Sequence, residues 1–380
     1  MNLPKHINNR IGVAVDVGST TIVVCCINLL DKKEICTFSF ANPQHIYGAD
    51  VVTRIKHCVD DKDKAVEMQT MLERTLHEKL REYLRKDYDH IRRIVYSGNT
   101  VMLHILRGLS VDGLAYAPFE PIDINYYENK VFLSRENSDI QTKDFEVVNC
   151  YLPSLSAFVG ADILAGTHFL QMGQQQSYDL LIDLGTNGEL LLLNKEKGYA
   201  TSTACGPVFD HVIGGAKYGS ESMQVIANCV KRGLIDPTGK LADTFFEKGI
   251  SINRNFTVKQ EHIRNFQLAK GAIHAGIECL LKRARITARD ISTVYISGGL
   301  GFYMNPKDAF TLKMFPQEFA DKIVVCDNTS LEGAKQMSYM EQDELLCLLE
   351  EYKGICDRTE CFELANYEDF QECYMKSLDF

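Results

Sequence analysis

The stretch Ile11-Gly-Val-Ala-Val-Asp16-Val-Gly18-Ser-Thr-Thr21-Ile is an apolar run that ends at an aspartate, turns through glycine and hydroxyl residues, and resumes as a second apolar run to Ile27. Such runs, bounded by turn residues, predict strands. The charged triplet Asp31-Lys-Lys33 then predicts a hairpin into a third strand. The same order returns in Asp179-Leu-Leu-Ile-Asp183-Leu-Gly185-Thr-Asn-Gly188-Glu-Leu, with its own hairpin at Lys195-Glu-Lys-Gly198. Two such starts predict duplicated domains. Between them the pattern predicts a long helix over 64–86, a strand over 91–96 and a polar segment over 125–143. In the second half, Ile263, Phe266, Ala269, Ile273, Ile277 and Leu281 recur with a helical period, and a strand over 293–297 runs into Gly298-Gly-Leu-Gly301. Strands and helices alternating in this way read as α/β.

Length and composition narrow the picture. With 380 residues the chain has room for two or three domains, and 45% hydrophobic with 24% charged residues is ordinary for globular proteins. The formal net charge of -10 argues against a nucleic-acid binder, whose affinity comes from neutralising phosphates. It leaves room for a small local phosphate site. The opening Met1-Asn-Leu-Pro-Lys-His-Ile-Asn-Asn-Arg10 has no apolar leader core, and no stretch approaches the ~20 apolar residues of a membrane span, so a cytoplasmic protein without a membrane partner is expected. Thirteen cysteines raise the question of a cluster, but no C-x-x-C occurs and their number is odd. Cys356 and Cys361 have the gap that opens a plant-type [2Fe–2S] motif, yet the next ligand position is Leu364. Most of the thiols are expected to be small buried hydrophobes.

The candidate chemistry sits in the glycine turns. In the first, Gly18 lets the backbone approach a phosphate, Ser19, Thr20 and Thr21 offer N–H and hydroxyl donors, and Asp16 can hold a hydrated Mg²⁺. Asp183 with Gly185, Thr186, Asn187 and Gly188 offers the same groups, and a pair of such turns facing a cleft would grip a triphosphate from both sides. Gly298, Gly299 and Gly301 form a third close-approach turn, or a plain tight connection.

These residues resemble the signatures of the nucleotide-binding fold of sugar kinases, actin and heat-shock chaperones. Asp16-Val-Gly-Ser-Thr-Thr is similar to phosphate loop one, Asp183-Leu-Gly-Thr-Asn-Gly to phosphate loop two, and Ile296-Ser-Gly-Gly-Leu-Gly301 to the adenosine loop; Ser97-Gly-Asn-Thr-Val-Met102 and Asn328-Thr-Ser-Leu-Glu-Gly-Ala334 resemble the two connecting segments. The match is narrower to the ATP-dependent reductive activators of corrinoid proteins. It is carried by Asn42-Pro-Gln-His-Ile-Tyr-Gly-Ala-Asp50, Ala117-Pro-Phe-Glu-Pro121, Phe158-Val-Gly-Ala-Asp162, Leu181-Ile-Asp-Leu-Gly-Thr-Asn-Gly-Glu189, Ser202-Thr-Ala-Cys-Gly-Pro207 and Gln267-Leu-Ala-Lys-Gly-Ala-Ile273.

The resemblance implies a two-lobed actin-like ATPase with a ribonuclease-H-like core in each lobe: a first lobe over 1–177, a second over 178–335, and a segment over 336–380 packing back on both. It implies ATP and Mg²⁺ as ligands, Asp16 and Asp183 as the catalytic, metal-holding carboxylates, and the glycine turns as the nucleotide site. The implied activity couples ATP to reduction of an inactive Co(II) corrinoid, carried by a partner protein, to Co(I). Family members place an iron–sulfur domain ahead of the nucleotide domains; here ten residues precede the first strand, so no cluster is expected in this chain and a separate iron–sulfur donor is. Homodimerisation stays open, and so do two other functions, a regulatory module without redox activity and a small-molecule kinase.

Several residues carry two readings. Gln267 and Lys270 can reach ribose or adenine, or be solvated helix residues; Asp210 and His211 can orient a water, or cap a surface loop. Glu189 can join the metal's water shell, or be a polar strand residue. Cys205 is expected to be an inert thiol. Asp50 and Arg54 stand one helical turn apart, which predicts an ion pair.

Overall fold

Both aspartate-ended runs form the central strands of sheets. In the computed structural model, which describes residues 10–134, 144–185, 187–205, 219–253 and 256–380, the chain divides into two compact units. Unit 1 takes residues up to Leu170 together with Thr329–Cys356, and unit 2 takes Gln171–Asn328 with Asp357–Phe380.

Unit 1 is built on six strands: β1 (Ile11–Val17), β2 (Thr21–Asn28), β3 (Glu34–Ala41), β4 (Ile91–Gly98), β5 (Tyr127–Leu133) and β6 (Phe145–Tyr151), in the order β3-β2-β1-β4-β6-β5. The first three form an antiparallel meander, and β4 and β6 follow in parallel. Val13, Ala14, Val15, Ile22 and Val24 are buried because both faces of the sheet are covered. On helix Lys62–Leu84, Met68, Leu72, Leu76, Leu80 and Leu84 recur every fourth residue and form the buried stripe. The polar segment expected over 125–143 holds β5 in its described part. Asn129, Val131 and Leu133 turn inward at every second position while Phe132 is exposed, the weak alternation of an edge strand paired along β6.

Unit 2 repeats the plan. Its strands are β7 (Tyr178–Leu184), β8 (Gly188–Leu193), β9 (Gly198–Thr203), the separate hairpin β10 (Ile250–Asn253) and β11 (Phe256–Val258), then β12 (Ile291–Ser297), β13 (Ile323–Val325) and β14 (Thr359–Cys361). The sheet order is β13-β12-β7-β8-β9-β14, with β7, β8 and β9 antiparallel and β12 parallel to β7. Helix Gln260–Ala284 covers β8 and β9 with Ile263, Phe266, Ile273 and Ile277, the residues of the predicted period.

A meander followed by parallel strands beside its first member is the ribonuclease-H-like order, present here twice. The helix after Asn328 differs from the expected division at residue 335. Thr329–Ser338 packs on β1, β4 and helix Ala161–Phe169 in unit 1, burying Leu331, Ala334 and Met337. Gly333 makes that crossing possible, since a Cβ there would lie 2.2 Å from the Ala165 carbonyl oxygen.

Candidate functional site

In unit 1 the register sets Asp16 beside Ser97 on the parallel neighbour β4, and Val17 beside Gly98. Asp16 is half-buried, so its carboxylate sits at the rim of the sheet. Ser330, at the start of helix Thr329–Ser338, donates its hydroxyl to Asp16 Oδ1 at 2.8 Å, and its oxygen lies 2.9 Å from Ser97 Oγ. With Ser330 donating to the carboxylate, Ser97 donates to Ser330, and the three groups form a short relay. Gly18 and Ser19 are half-buried in the turn beyond, and Thr20 and Thr21 are exposed. Asp50 and Arg54 form no ion pair. Asp50 caps helix Val51–Asp60, accepting from the Thr53 amide at 2.8 Å, while the fully buried Arg54 donates from Nη2 to the Ser19 carbonyl at 2.6 Å. Helix capping outcompetes a side-chain pair here because it satisfies an otherwise orphaned backbone donor.

Unit 2 repeats these positions. Asp183 is half-buried at the end of β7, beside Ser297 on β12 and directly opposite Glu189 on β8. Residues directly opposite in an antiparallel pair share a face, so two carboxylates stand together there, a donor set suited to a hard cation and its water. Gly298 has φ +85°, and a Cβ on it would lie 2.7 Å from Asp183 Oδ1 and from the Leu184 amide nitrogen. Gly98, its counterpart, has φ +146° and would bring a Cβ within 2.6 Å of the Val17 carbonyl oxygen. Each unit thus ends a strand in aspartate and presses a Ser-Gly pair against it. The pairing unites two motifs that in sequence resemble different things, a connecting segment at Ser97-Gly98 and an adenosine loop at Ser297-Gly298. The shared words Val95-Tyr-Ser-Gly98 and Val294-Tyr-Ile-Ser-Gly298 are the signal that could have revealed it.

The remaining glycines of unit 2 divide. Gly185 is half-buried, its amide donating to the Asn187 carbonyl at 3.1 Å, and Asn187 is exposed. A Cβ on Gly299 would meet nothing within 4 Å, whereas Gly188 packs on Cys205, 2.9 Å from the position of a Cβ. Gly301 closes against Ile296, 3.0 Å from a Cβ position. Thr186, Asp210 and His211 lie outside the described residues.

Gln267 and Lys270 are buried rather than solvated. Gln267 Nε2 donates to the carbonyls of Thr238 at 2.9 Å and Leu378 at 3.0 Å, and Lys270 Nζ donates to the Asp379 carbonyl at 2.5 Å while lying over the Phe380 ring. Burial pulls the Lys270 ammonium down to about 7, with the neighbouring Lys313 charge acting in the same sense and Asp379 opposing. Residues 378–380, with the Thr238 carbonyl at Gln267, therefore occupy the two side chains that the sequence leaves open as nucleotide contacts.

Residues 11–175 match the family model for the RACo middle region, and residues 218–380 match that for the C-terminal domain of RACo, the ASKHA domain. The chain belongs to the RACo family. Two curated relatives of this RACo chain are the corrinoid activation enzyme RamQ of Eubacterium limosum, 25% identical over 97% of this chain and 70% of its own, and the [Co(II) methylated amine-specific corrinoid protein] reductase of Methanosarcina barkeri, 24% identical over 97% of this chain and 77% of its own. Among solved structures, the reductive activator for corrinoid, iron-sulfur protein superposes with a TM-score of 0.81 at 23% identity, covering 99% of this chain and 67% of that one. That likeness shows a shared fold, which together with the ASKHA domain match is the actin-like one.

Eight of the RACo chain's cysteines are buried, among them Cys25, Cys26 and Cys205, and Cys347 is exposed. Among the described residues no three His, Cys, Asp or Glu side chains converge as a metal site. No helix among them is long and apolar enough to cross a membrane.

Proposed function

We propose that this chain is the ATP-driven component of a corrinoid-activating system: it binds ATP with Mg²⁺, hydrolyses it to ADP and phosphate, and couples that reaction to one-electron reduction of a Co(II) corrinoid, held by a separate protein, to Co(I). The electron comes from a separate iron–sulfur donor. The observation that carries this reading is the match of both halves of the chain to RACo domains, together with two relatives aligned over 97% of it whose names state corrinoid activation or reduction.

The twin strand ends support the nucleotide assignment. Asp16 and Asp183 are the carboxylates suited to hold Mg²⁺ through water, and the metal would supply charge neutralisation for the phosphates. In this reading Gly18, Ser19, Thr20 and Thr21 of unit 1, and Thr186, Asn187 and Gly188 of unit 2, are the phosphate donors, while Gly185, whose amide is spent on the Asn187 carbonyl, shapes its turn; Gly298, Gly299 and Gly301 offer backbone to the nucleoside. Gln267 and Lys270 enter the site once residues 378–380 are displaced.

Asp16→Asn and Asp183→Asn test the assignment, since each removes a full charge while leaving the backbone donors in place. Calorimetry and phosphate release are expected to show hydrolysis reduced by about 10²–10³ with ATP affinity far less affected, the scale at which a positioned electrostatic group acts. Unaltered turnover in both variants contradicts it. The partner is tested by titrating a Co(II) corrinoid protein: its binding is expected to shift nucleotide affinity by roughly 5- to 150-fold, the usual range of coupling between two sites.

A further inference from the structure

Three consecutive carbonyls of the first phosphate turn are held from the same two residues. The Gly18 carbonyl accepts from Asn42 Nδ2 at 2.8 Å, the Ser19 carbonyl from Arg54 Nη2 at 2.6 Å, and the Thr20 carbonyl from the Asn42 amide at 2.8 Å. In a planar trans peptide a carbonyl and the N–H of the following residue point in opposite directions. Fixing these three carbonyls therefore fixes the N–H groups of Ser19, Thr20 and Thr21 on the opposite side of the turn, and successive N–H groups held in this way make an anion-binding nest.

The holding residues are themselves locked. Arg54 is fully buried; besides Ser19 it donates from Nε to the Gly48 carbonyl at 3.1 Å, and from Nη1 to Gln44 Oε1 at 3.3 Å and Met102 Sδ at 3.2 Å. Asn42, also fully buried, accepts from the Gln44 amide at 2.9 Å, and Gln44 in turn donates to the Met68 carbonyl at 3.1 Å on the long helix. A guanidinium fork can serve several acceptors in fixed directions, which an ammonium cannot. The site is costly as pure scaffolding: among the described residues no carboxylate is in ion-pair range of Arg54, only the more distant Asp50 charge opposes the cost of burial, and a buried cation so placed is destabilising unless something else uses its charge. Burial lowers Arg54 only to about 10, so it stays charged at neutral pH behind the turn.

We propose that Arg54 and Asn42 are the positioning residues that shape the Gly18–Thr21 turn into a preformed polyphosphate nest, with Arg54 adding its charge from behind. The inference deepens the nucleotide reading of that turn and rests on it. This gives a role to the segment from Asn42 to Asp50, one of the stretches that resembles the family, since Asn42, Gln44 and Gly48 all belong to the clamp.

The test compares ligands that do and do not carry phosphate. Wild type, Arg54→Met, Arg54→Lys and Asn42→Ala are titrated with ATP, with pyrophosphate, and with adenosine in competition with ADP, and each variant's thermal midpoint is measured alongside. ATP and pyrophosphate affinity is expected to fall about tenfold or more in Arg54→Met and Asn42→Ala, with a smaller loss in Arg54→Lys, while adenosine affinity changes less than about twofold; tenfold corresponds to ~1.4 kcal/mol. Equal losses for adenosine and ATP would mean that the residues only support the fold, and that overturns the proposal, as does an undiminished ATP affinity. Pyrophosphate separates the two readings: wild type that binds pyrophosphate but not ATP contradicts the proposed function and leaves the clamp to be judged on the variants, whereas wild type that binds neither overturns both. Should Arg54→Met fail to fold, Arg54→Lys and Asn42→Ala carry the same comparison.

Discussion

The proposed role of Asp16 requires its carboxylate to be held in one orientation, and part of the holding comes from a hydroxyl 314 positions away, Ser330. The aspartate was legible because it interrupts an apolar run just before a glycine turn. Ser330 was not, because nothing local ties a serine at a helix start to a strand end in the other half of the sequence. Ser330→Ala removes one hydrogen bond to a charged group, worth about 1.5–3 kcal/mol. We expect ATP turnover to fall about tenfold with nucleotide affinity changed less than about threefold; steady-state kinetics with ATP decides, and an unchanged kcat contradicts the role. Lys270 makes a second prediction. Its folded value of about 7 lies well below the ~10.4 of an unfolded lysine, so between those pH values the unfolded chain holds more protons and stability rises with pH. Comparing denaturation midpoints of wild type and Lys270→Met from pH 7 to pH 10, we expect the difference to move in favour of wild type as pH rises. A difference that stays constant with pH contradicts this account of Lys270.

At the scale of elements, the long apolar and periodic segments were readable: β1, β2, β7, β8 and helix Gln260–Ala284 follow from runs and periods that burial alone dictates. β5 escaped because its alternation is weak and its partner, β6, is what turns Val131 and Leu133 inward. The return of helix Thr329–Ser338 to unit 1 escaped for a different reason: its buried face matches a surface made by β1, β4 and helix Ala161–Phe169, which no local pattern reveals. Gly333 is the point of closest approach in that packing. A methyl there meets backbone at 2.2 Å, which a rotamer change cannot relieve, so Gly333→Ala is expected to destabilise unit 1 by ~1–3 kcal/mol, the usual cost of overpacking. A chemical denaturation midpoint equal to that of wild type would show that the two helices separate without cost.

For the whole molecule, the duplicated sheet, the twin Asp and Ser-Gly strand ends and the RACo domain matches point one way. The candidate site was half legible: the aspartates and glycines announced themselves by spacing, whereas the groups that orient them, Ser330, Arg54 and Asn42, come from distant segments and needed the fold. Gln267 and Lys270, which the sequence leaves open between nucleotide contacts and solvated helix residues, are buried and have partners in residues 378–380. The central claim, ATP-driven corrinoid activation, is tested most directly by the absorbance of a Co(II) corrinoid protein mixed with this chain, Mg²⁺, ATP and a low-potential iron–sulfur donor. The account predicts the Co(I) spectrum only when chain, ATP and donor are all present, and its loss with Asp183→Asn; a Co(II) spectrum that persists in the complete mixture, or Co(I) formed equally well without ATP, would contradict it.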